Sequence, residues 1–296
     1  MRPFRIIVPA SSGNVGPGFD SMGLAVNLFL ELEVSESAEW EFIQPSLDLN
    51  LESYEEHFIY SIAKKIADKH QKTLPACKVV EKSAIPLARG LGSSASAILA
   101  GIEIANQACE LKLSKEEKLQ YGTEIEGHPD NIAPALFGGL VISTLLEDEI
   151  EHIQLQDLDF DIVVYIPDVE LKTEAARAAL PESYPRNLAA AASGVSNITV
   201  AALVKGDYQL AGKMMEKDLF HEPYRASLIP NYDMIRSEAK KLGAYGTIIS
   251  GAGPTMMSFV PNGEGQAVAL KMKDVLPDYQ MKALQVDTTG LKVESL

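Results

Sequence analysis

Three glycine-dense stretches, far apart in the chain, constrain this sequence more than any other feature. Residues 9–23 read PASSGNVGPGFDSMG, residues 86–96 read PLARGLGSSAS, and residues 250–255 read SGAGPT. Glycine lets a backbone turn sharply and approach another group closely, at an entropic cost that only a fixed tertiary role offsets. Each stretch lies between apolar segments that read as strand on one side and strand or helix on the other. Strand and helix patterns mix in each half of the chain, an order that predicts an α+β fold.

The flanking patterns fill in that frame. Phe4, Ile6 and Val8 alternate as a strand does, and 24–34, 40–43 and 77–80 read as further strands. Ser53 with Glu56 forms a capping-box pattern ahead of Phe58, Ile62 and Ile66 at helical spacing, and Ser114 with Glu117 repeats it before a helix running to about 125. A helix is expected over 95–110 and a strand over 138–145. Beyond them come a strand at 162–166, helices at 173–180, 188–204, 208–217 and 232–242, strands at 247–250 and 256–260, a helix at 265–275 and a strand at 280–286. A soft boundary near 150–160 divides the 296 residues into expected lobes 1–155 and 156–296.

The loop at 86–96 has the chemistry of an anion cradle. Its glycines bring N–H groups close to oxygen atoms, and the following helix presents free N–H groups with the positive end of its dipole behind them. Ser93, Ser94 and Ser96 add hydroxyls. No Gly-Lys-Ser/Thr ends the loop, so it is not a Walker A motif, and it lacks the third glycine of a dinucleotide turn. Binding phosphate through backbone dipoles suits a chain of net charge −15 with no dense Lys/Arg run, a balance that argues against nucleic acid and anionic membranes as partners. Cys77 and Cys109, the two cysteines, make neither a disulfide framework nor a metal spacing. Residues 1–10 carry no signal-like apolar run and no stretch reads as a membrane span, so a cytoplasmic location is expected.

Taken together with 126–139 (EGHPDNIAPALFGG) and with Thr173 and Arg177 in LKTEAARAALP, the three loops resemble the GHMP kinase superfamily, in the form its homoserine kinases carry. The resemblance runs through nearly the whole chain, in order. It implies an N-terminal lobe like ribosomal protein S5 domain 2, a ferredoxin-like C-terminal lobe, and an active site between them. It implies ATP as phosphoryl donor, with Pro86, Leu87, Ala88, Arg89, Gly90, Leu91, Gly92, Ser93, Ser94, Ala95 and Ser96 around the nucleotide phosphates. Mg2+ wants hard oxygen ligands. Ser94 (or Ser93) with Glu126 would supply them, and Glu124 is the alternate carboxylate.

The implied acceptor is the hydroxyl of L-homoserine, giving O-phospho-L-homoserine on the way to threonine. Asn14 and Asp20 suit its ammonium, and Arg177 and Arg225 suit its carboxylate because a guanidinium offers two prongs. His128 and Gly251 complete the substrate set. Asn131 stands where galactokinase and mevalonate kinase carry an Asp thought to accept the substrate proton. An amide cannot do so, which leaves Asn131 and Thr173 to orient the hydroxyl. Asp130 reads as a cap for a helix opened by Asn131. Members of the superfamily are often homodimers. The rival expectations are a mevalonate- or sugar-type kinase on the same fold and a non-catalytic amino-acid or nucleotide sensor.

Overall fold

The computed structural model describes residues 1–44, 53–147 and 149–296. The chain opens with two long antiparallel strands, β1 (Phe4–Gly13) and β2 (Met22–Glu36), whose register shifts at Pro9/Ala10. The loop between them is the first glycine-dense stretch. After the short β3 (Glu41–Ile43), Ser53 caps one 3-10 turn at Tyr54–Glu56 by accepting from Glu55 N. The expected capping box of Ser53 and Glu56 therefore does not open α1 (Phe58–Lys69), which starts beyond it at His57. Ile59, Ile62, Ala63 and Ile66 of α1 are buried at helical spacing, as the sequence pattern requires.

β4 (Cys77–Ser83) leads through the second glycine loop into α2 (Ser93–Ala108). This helix is buried along most of its length, with Ala95, Ile98, Leu99, Ala100, Ile102 and Ile104 all closed off from solvent. α3 (Lys115–Glu126) does carry its capping box, Ser114 with Glu117. α4 (Pro129–Phe137) begins one residue after His128, with Pro129 in the first turn, where a missing N–H costs nothing. Asp130 is thus not the cap and Asn131 does not open the helix. β5 (Leu140–Leu146) and β6 (Glu149–Leu155) form a hairpin whose second strand the sequence reading missed. β6 lies half exposed at a sheet edge, with apolar Ile153 among its exposed positions.

β7 (Phe160–Ile166) starts the second half, followed by α5 (Thr173–Ala178), α6 (Arg186–Val204), α7 (Tyr208–Met215), the single turn α8 (Glu222–Arg225) and α9 (Tyr232–Lys241). β8 (Gly246–Ile249), β9 (Met256–Pro261), α10 (Gly265–Val275), β10 (Gln280–Leu284) and β11 (Lys292–Ser295) complete the chain. α6 is long and apolar enough by composition to cross a membrane, which the sequence reading did not count. Ala192, Thr199, Ala202 and Leu203 are its buried residues, and Ile198 and Val204 are exposed.

Two sheets result. One has the order β11-β1-β2-β4-β3, with β5 on the first residues of β2 and β6 beyond it. The other has the order β10-β7-β9-β8, antiparallel throughout, with α10 between β9 and β10. Counted within its own half, that is strand order 4-1-3-2, the ferredoxin-like arrangement. The last strand does not stay there: β11 pairs with β1, so residues 292–295 return to the first sheet. The period of two along β7 divides the interior. Ile162, Val164 and Ile166 join the large core around α2 and β1, while Val163 and Tyr165 face α9 and α10.

Candidate active site

The three glycine loops, up to 240 residues apart in sequence, meet in one place. Gly251 N donates to Gly13 O at 3.1 Å and Ser11 N to Leu91 O at 3.2 Å. Ser250 Oγ donates to Gly90 O at 2.7 Å and lies 2.8 Å from Ser12 Oγ. Asn14 Nδ2 donates to Gly251 O at 2.9 Å. Ser11, Ser12 and Ser250 are fully buried, so these bonds are made away from water, where an unmet polar group is costly. The glycines permit the approach. A Cβ on Gly90 would lie 2.3 Å from Ser250 O and one on Gly92 2.2 Å from Ser11 Oγ, and both residues have positive φ (73° and 69°).

Gly92 is the N-cap of α2, so the free N–H groups of that helix open onto a cleft of about 600 Å³ between the loops. Ala88, Gly90, Gly92, Ser93 and Ser94 line it from this side. Ser94 Oγ donates to Glu126 Oε2 at 2.8 Å, bringing a hydroxyl and a carboxylate from α2 and α3 together at its wall. Glu124, two residues earlier and so on the other side of α3, is instead paired with Lys69 of α1 at 2.9 Å, which lowers its proton affinity through that bond.

The opposite wall holds Asn14, Asp20, His128, Asp130, Asn131, Thr173, Arg177, Arg225 and Gly251. Arg177 grips Asp20 with both prongs, Nη2 to Oδ1 at 2.7 Å and Nη1 to Oδ2 at 3.2 Å. Burial, the largest single influence, works against the Arg177 charge, but the bond to Asp20 and the charges of Asp20, Asp130 and Glu126 together raise its proton affinity. Asn14 Oδ1 accepts from Asp20 N at 3.0 Å, which fixes the loop that carries both. Arg225, 2% exposed, donates from Nε to Ala176 O at 3.1 Å and from Nη1 to Gly251 O at 3.3 Å. Asn131 Oδ1 accepts from Ser11 Oγ at 3.1 Å.

Asp130 is the site residue that sequence reasoning misread. Its carboxylate accepts from Asn14 N at 3.1 Å and bonds Nδ1 of His128. Burial disfavours the His128 cation, yet the bond to Asp130 and the charges of Asp130 and Asp20 raise its pKa above the ordinary histidine value. Asp20, His128 and Asp130 stand close enough to share a cation, but Arg177, His128 and Asn14 already occupy these carboxylates. The Ser94–Glu126 pair, with no competing cation bonded to it among the described residues, suits a hard divalent ion better.

Not every expected residue reaches the cleft. Leu91, Ala95 and Ser96 are buried beneath the loop, and Ser96 Oγ bonds Ser93 O. Arg89 turns its guanidinium to Pro167 O, Asp168 and Glu170. Pro86 lines a separate recess with Arg89, and Leu87 also borders a groove beside Ser93 and Ser94. That groove, of about 870 Å³, is walled by Gln44, His57, Phe58, Ile59, Glu81 and Ala97.

Comparison with known proteins gives the family of the chain. The family description "GHMP kinases N terminal domain" matches residues 57–139, and "GHMP kinases C terminal" matches residues 199–278. The homoserine kinase of Oceanobacillus iheyensis is 60% identical over 296 residues, covering 99% of this chain and 100% of that one. The homoserine kinase of Halalkalibacterium halodurans is 47% identical, over 98% and 95% of the two chains. The crystal structure of homoserine kinase from Cytophaga hutchinsonii superposes with a TM-score of 0.86 at 27% identity, over 99% of this chain and 98% of that one.

Proposed function

The chain belongs to the GHMP kinases, in their homoserine kinase branch, and from that premise we propose that it transfers the γ-phosphoryl group of ATP to the side-chain hydroxyl of L-homoserine. One observation carries the substrate choice. An acidic group (Asp20) and two arginines (Arg177, Arg225) share one cleft with the phosphate loop, which matches a zwitterion whose hydroxyl faces the nucleotide. Arg177 and Arg225 take the carboxylate, while Asp20 and Asn14 take the ammonium. The triphosphate lies on the N–H groups of 90–95, and the groove beside Ser93 takes the nucleoside.

Ser94 and Glu126 would hold Mg2+. The ion would neutralise charge on the donor phosphates when bound. The protein's own part is positioning. Asn131, held by Ser11, and Thr173, at the start of α5, orient the acceptor oxygen toward the γ-phosphorus. A new O–P bond forms as the bridging bond to ADP breaks. The hydroxyl proton leaves late, to the transferred group or to water, because a loose transition state asks little of a general base. The helix dipole and the loop N–H groups hold the charge that develops on the leaving phosphate.

An ADP-release assay with Mg-ATP and L-homoserine, mevalonate, galactose or no acceptor tests the reading. Release that depends on homoserine supports it, and release with mevalonate or galactose alone sinks it. Asn131→Asp tests the mechanism. A carboxylate beside Asp130 is expected to lower turnover by about tenfold or more through charge near the γ-phosphate. Faster turnover with an unchanged alkaline limb would refute the late proton transfer.

A further inference from the structure

His221 is fully buried behind the arginine wall, and two groups with one hydrogen-bonding role each face its ring. Nε2 lies 2.9 Å from Gly16 O, which can only accept. Nδ1 lies 3.4 Å from Nη1 of Arg225, which can only donate. A single form of the imidazole satisfies both: neutral, with the proton on Nε2 and the lone pair on Nδ1. The Phe19 ring stacks on the imidazole with centroids 5.6 Å apart, and the Arg225 guanidinium carbon lies 5.5 Å from that same phenyl ring. Gly16 and Phe19 belong to the loop that carries Asn14 and Asp20. The imidazole thus joins the cationic end of the acceptor pocket to its anionic end.

We infer that His221 is a positioning residue: as the neutral Nε2–H tautomer it holds Arg225 and the 14–20 loop in the geometry that grips the acceptor, and its protonation loosens that grip. The inference rests on the assignment of Arg225 to the homoserine carboxylate.

The surroundings favour the neutral ring. Burial is the largest influence and lowers the proton affinity of His221, and the Arg225 charge works in the same direction. Asp218, 3.6 Å from Nε2, and the more remote Asp130 work against them, as does the bond to Gly16. The Asp218 carboxylate is already engaged by three successive backbone donors, Phe220 N, His221 N and Glu222 N, at 3.0, 2.8 and 2.7 Å. The neighbouring Glu222 points elsewhere, to Ile249 N and Tyr232. Protonation would set an N–H against the Arg225 donor and place two buried cations side by side, so Arg225 would have to leave its bonds to Gly251 O and Ala176 O.

Two measurements on the full chain test this. In histidine-labelled protein, long-range 15N–1H correlation is expected to show the His221 ring as neutral, protonated on Nε2, at about pH 7 and to stay so below the ordinary histidine value. A charged ring or the Nδ1–H tautomer would overturn the inference without any variant. Kinetically, the KM for homoserine at saturating Mg-ATP is expected to rise only as pH falls below the ordinary histidine value of about 6.5. His221→Gln keeps an amide donor and an amide acceptor but does not titrate, and should flatten that rise. An acid limb as steep as the wild type's would overturn the role. His221→Leu should raise the homoserine KM about tenfold and move the ATP KM by less than about twofold, and equal effects on both would mean a merely structural residue. Arg225→Lys separates the two layers. An unchanged homoserine KM there would overturn the carboxylate clamp, and this role with it, whatever tautomer the spectrum shows.

Discussion

His128 and His221 sit on one site with opposite shifts, and the difference has a measurable sign. His128 gains a partner in Asp130 and its pKa is raised. Its contribution to stability is fully present below about 6.5, the ordinary histidine value, and is lost as pH rises through the higher folded value. His221 is the reverse: its neutral form contributes above that ordinary value, and the contribution is lost as pH falls through the depressed folded value. His128→Gln should therefore lower Tm more at about pH 6 than at about pH 9. A gap that widens with pH would contradict the paired cation. At the same scale, Arg177→Lys keeps the charge but loses the fork that meets Asp20. The homoserine KM should rise about 10- to 100-fold, the value of one or two charge-assisted hydrogen bonds, with the ATP KM little changed.

At the scale of elements, the start of α2 is where local geometry and function coincide. Gly92→Ala puts a methyl into Ser11 at a positive φ. ATP should then fail to protect the fold from heat. Ser114→Ala, in the capping box of the neighbouring α3, should cost about 1 kcal/mol and a few degrees in Tm with ATP protection intact. Equal loss of protection in both would detach phosphate binding from the loop. The same elements explain what could be read from sequence alone. The glycine loops, α1, α2, α3 and the strands around them were legible because burial on one face imposes a period, and glycine marks tight approach. β6 was not, since half exposure at an edge leaves a weak pattern, and β11 is a polar four-residue strand recognisable only by its partner β1. Asp130 was misread because its type fits a cap equally well. Only the fold reveals that Asn14 N and His128 claim it. Likewise the inward turn of Arg225, and the outward turn of Arg89, are tertiary facts that no spacing encodes.

At the scale of the whole molecule, the two sheets are tied by more than a shared core. β11 leaves the second half to pair with β1, in register from Phe4↔Ser295 to Ile7↔Lys292. Removing residues 291–296 should bare the β1 edge and lower Tm by roughly 5–10 °C, on the order of 2–3 kcal/mol of net ladder hydrogen bonding. A Tm unchanged by the deletion would make the tail an ornament on two self-sufficient lobes, 1–155 and 156–296. The clasp of Asp20 by Arg177, one from each half of the chain, has a different consequence at this scale. Before substrate arrives, each charge already has its counter-charge. A zwitterion bound there as proposed would perform a double displacement: its ammonium would replace one partner, its carboxylate the other, and no net charge would be created or discharged. Mobile ions then have nothing to compensate, so the homoserine KM should stay flat from about 50 to 500 mM KCl, a range over which exposed, unpaired charges are strongly screened. An acid without an amine could satisfy Arg177 only by stranding Asp20, and it would be turned away by the group it left behind.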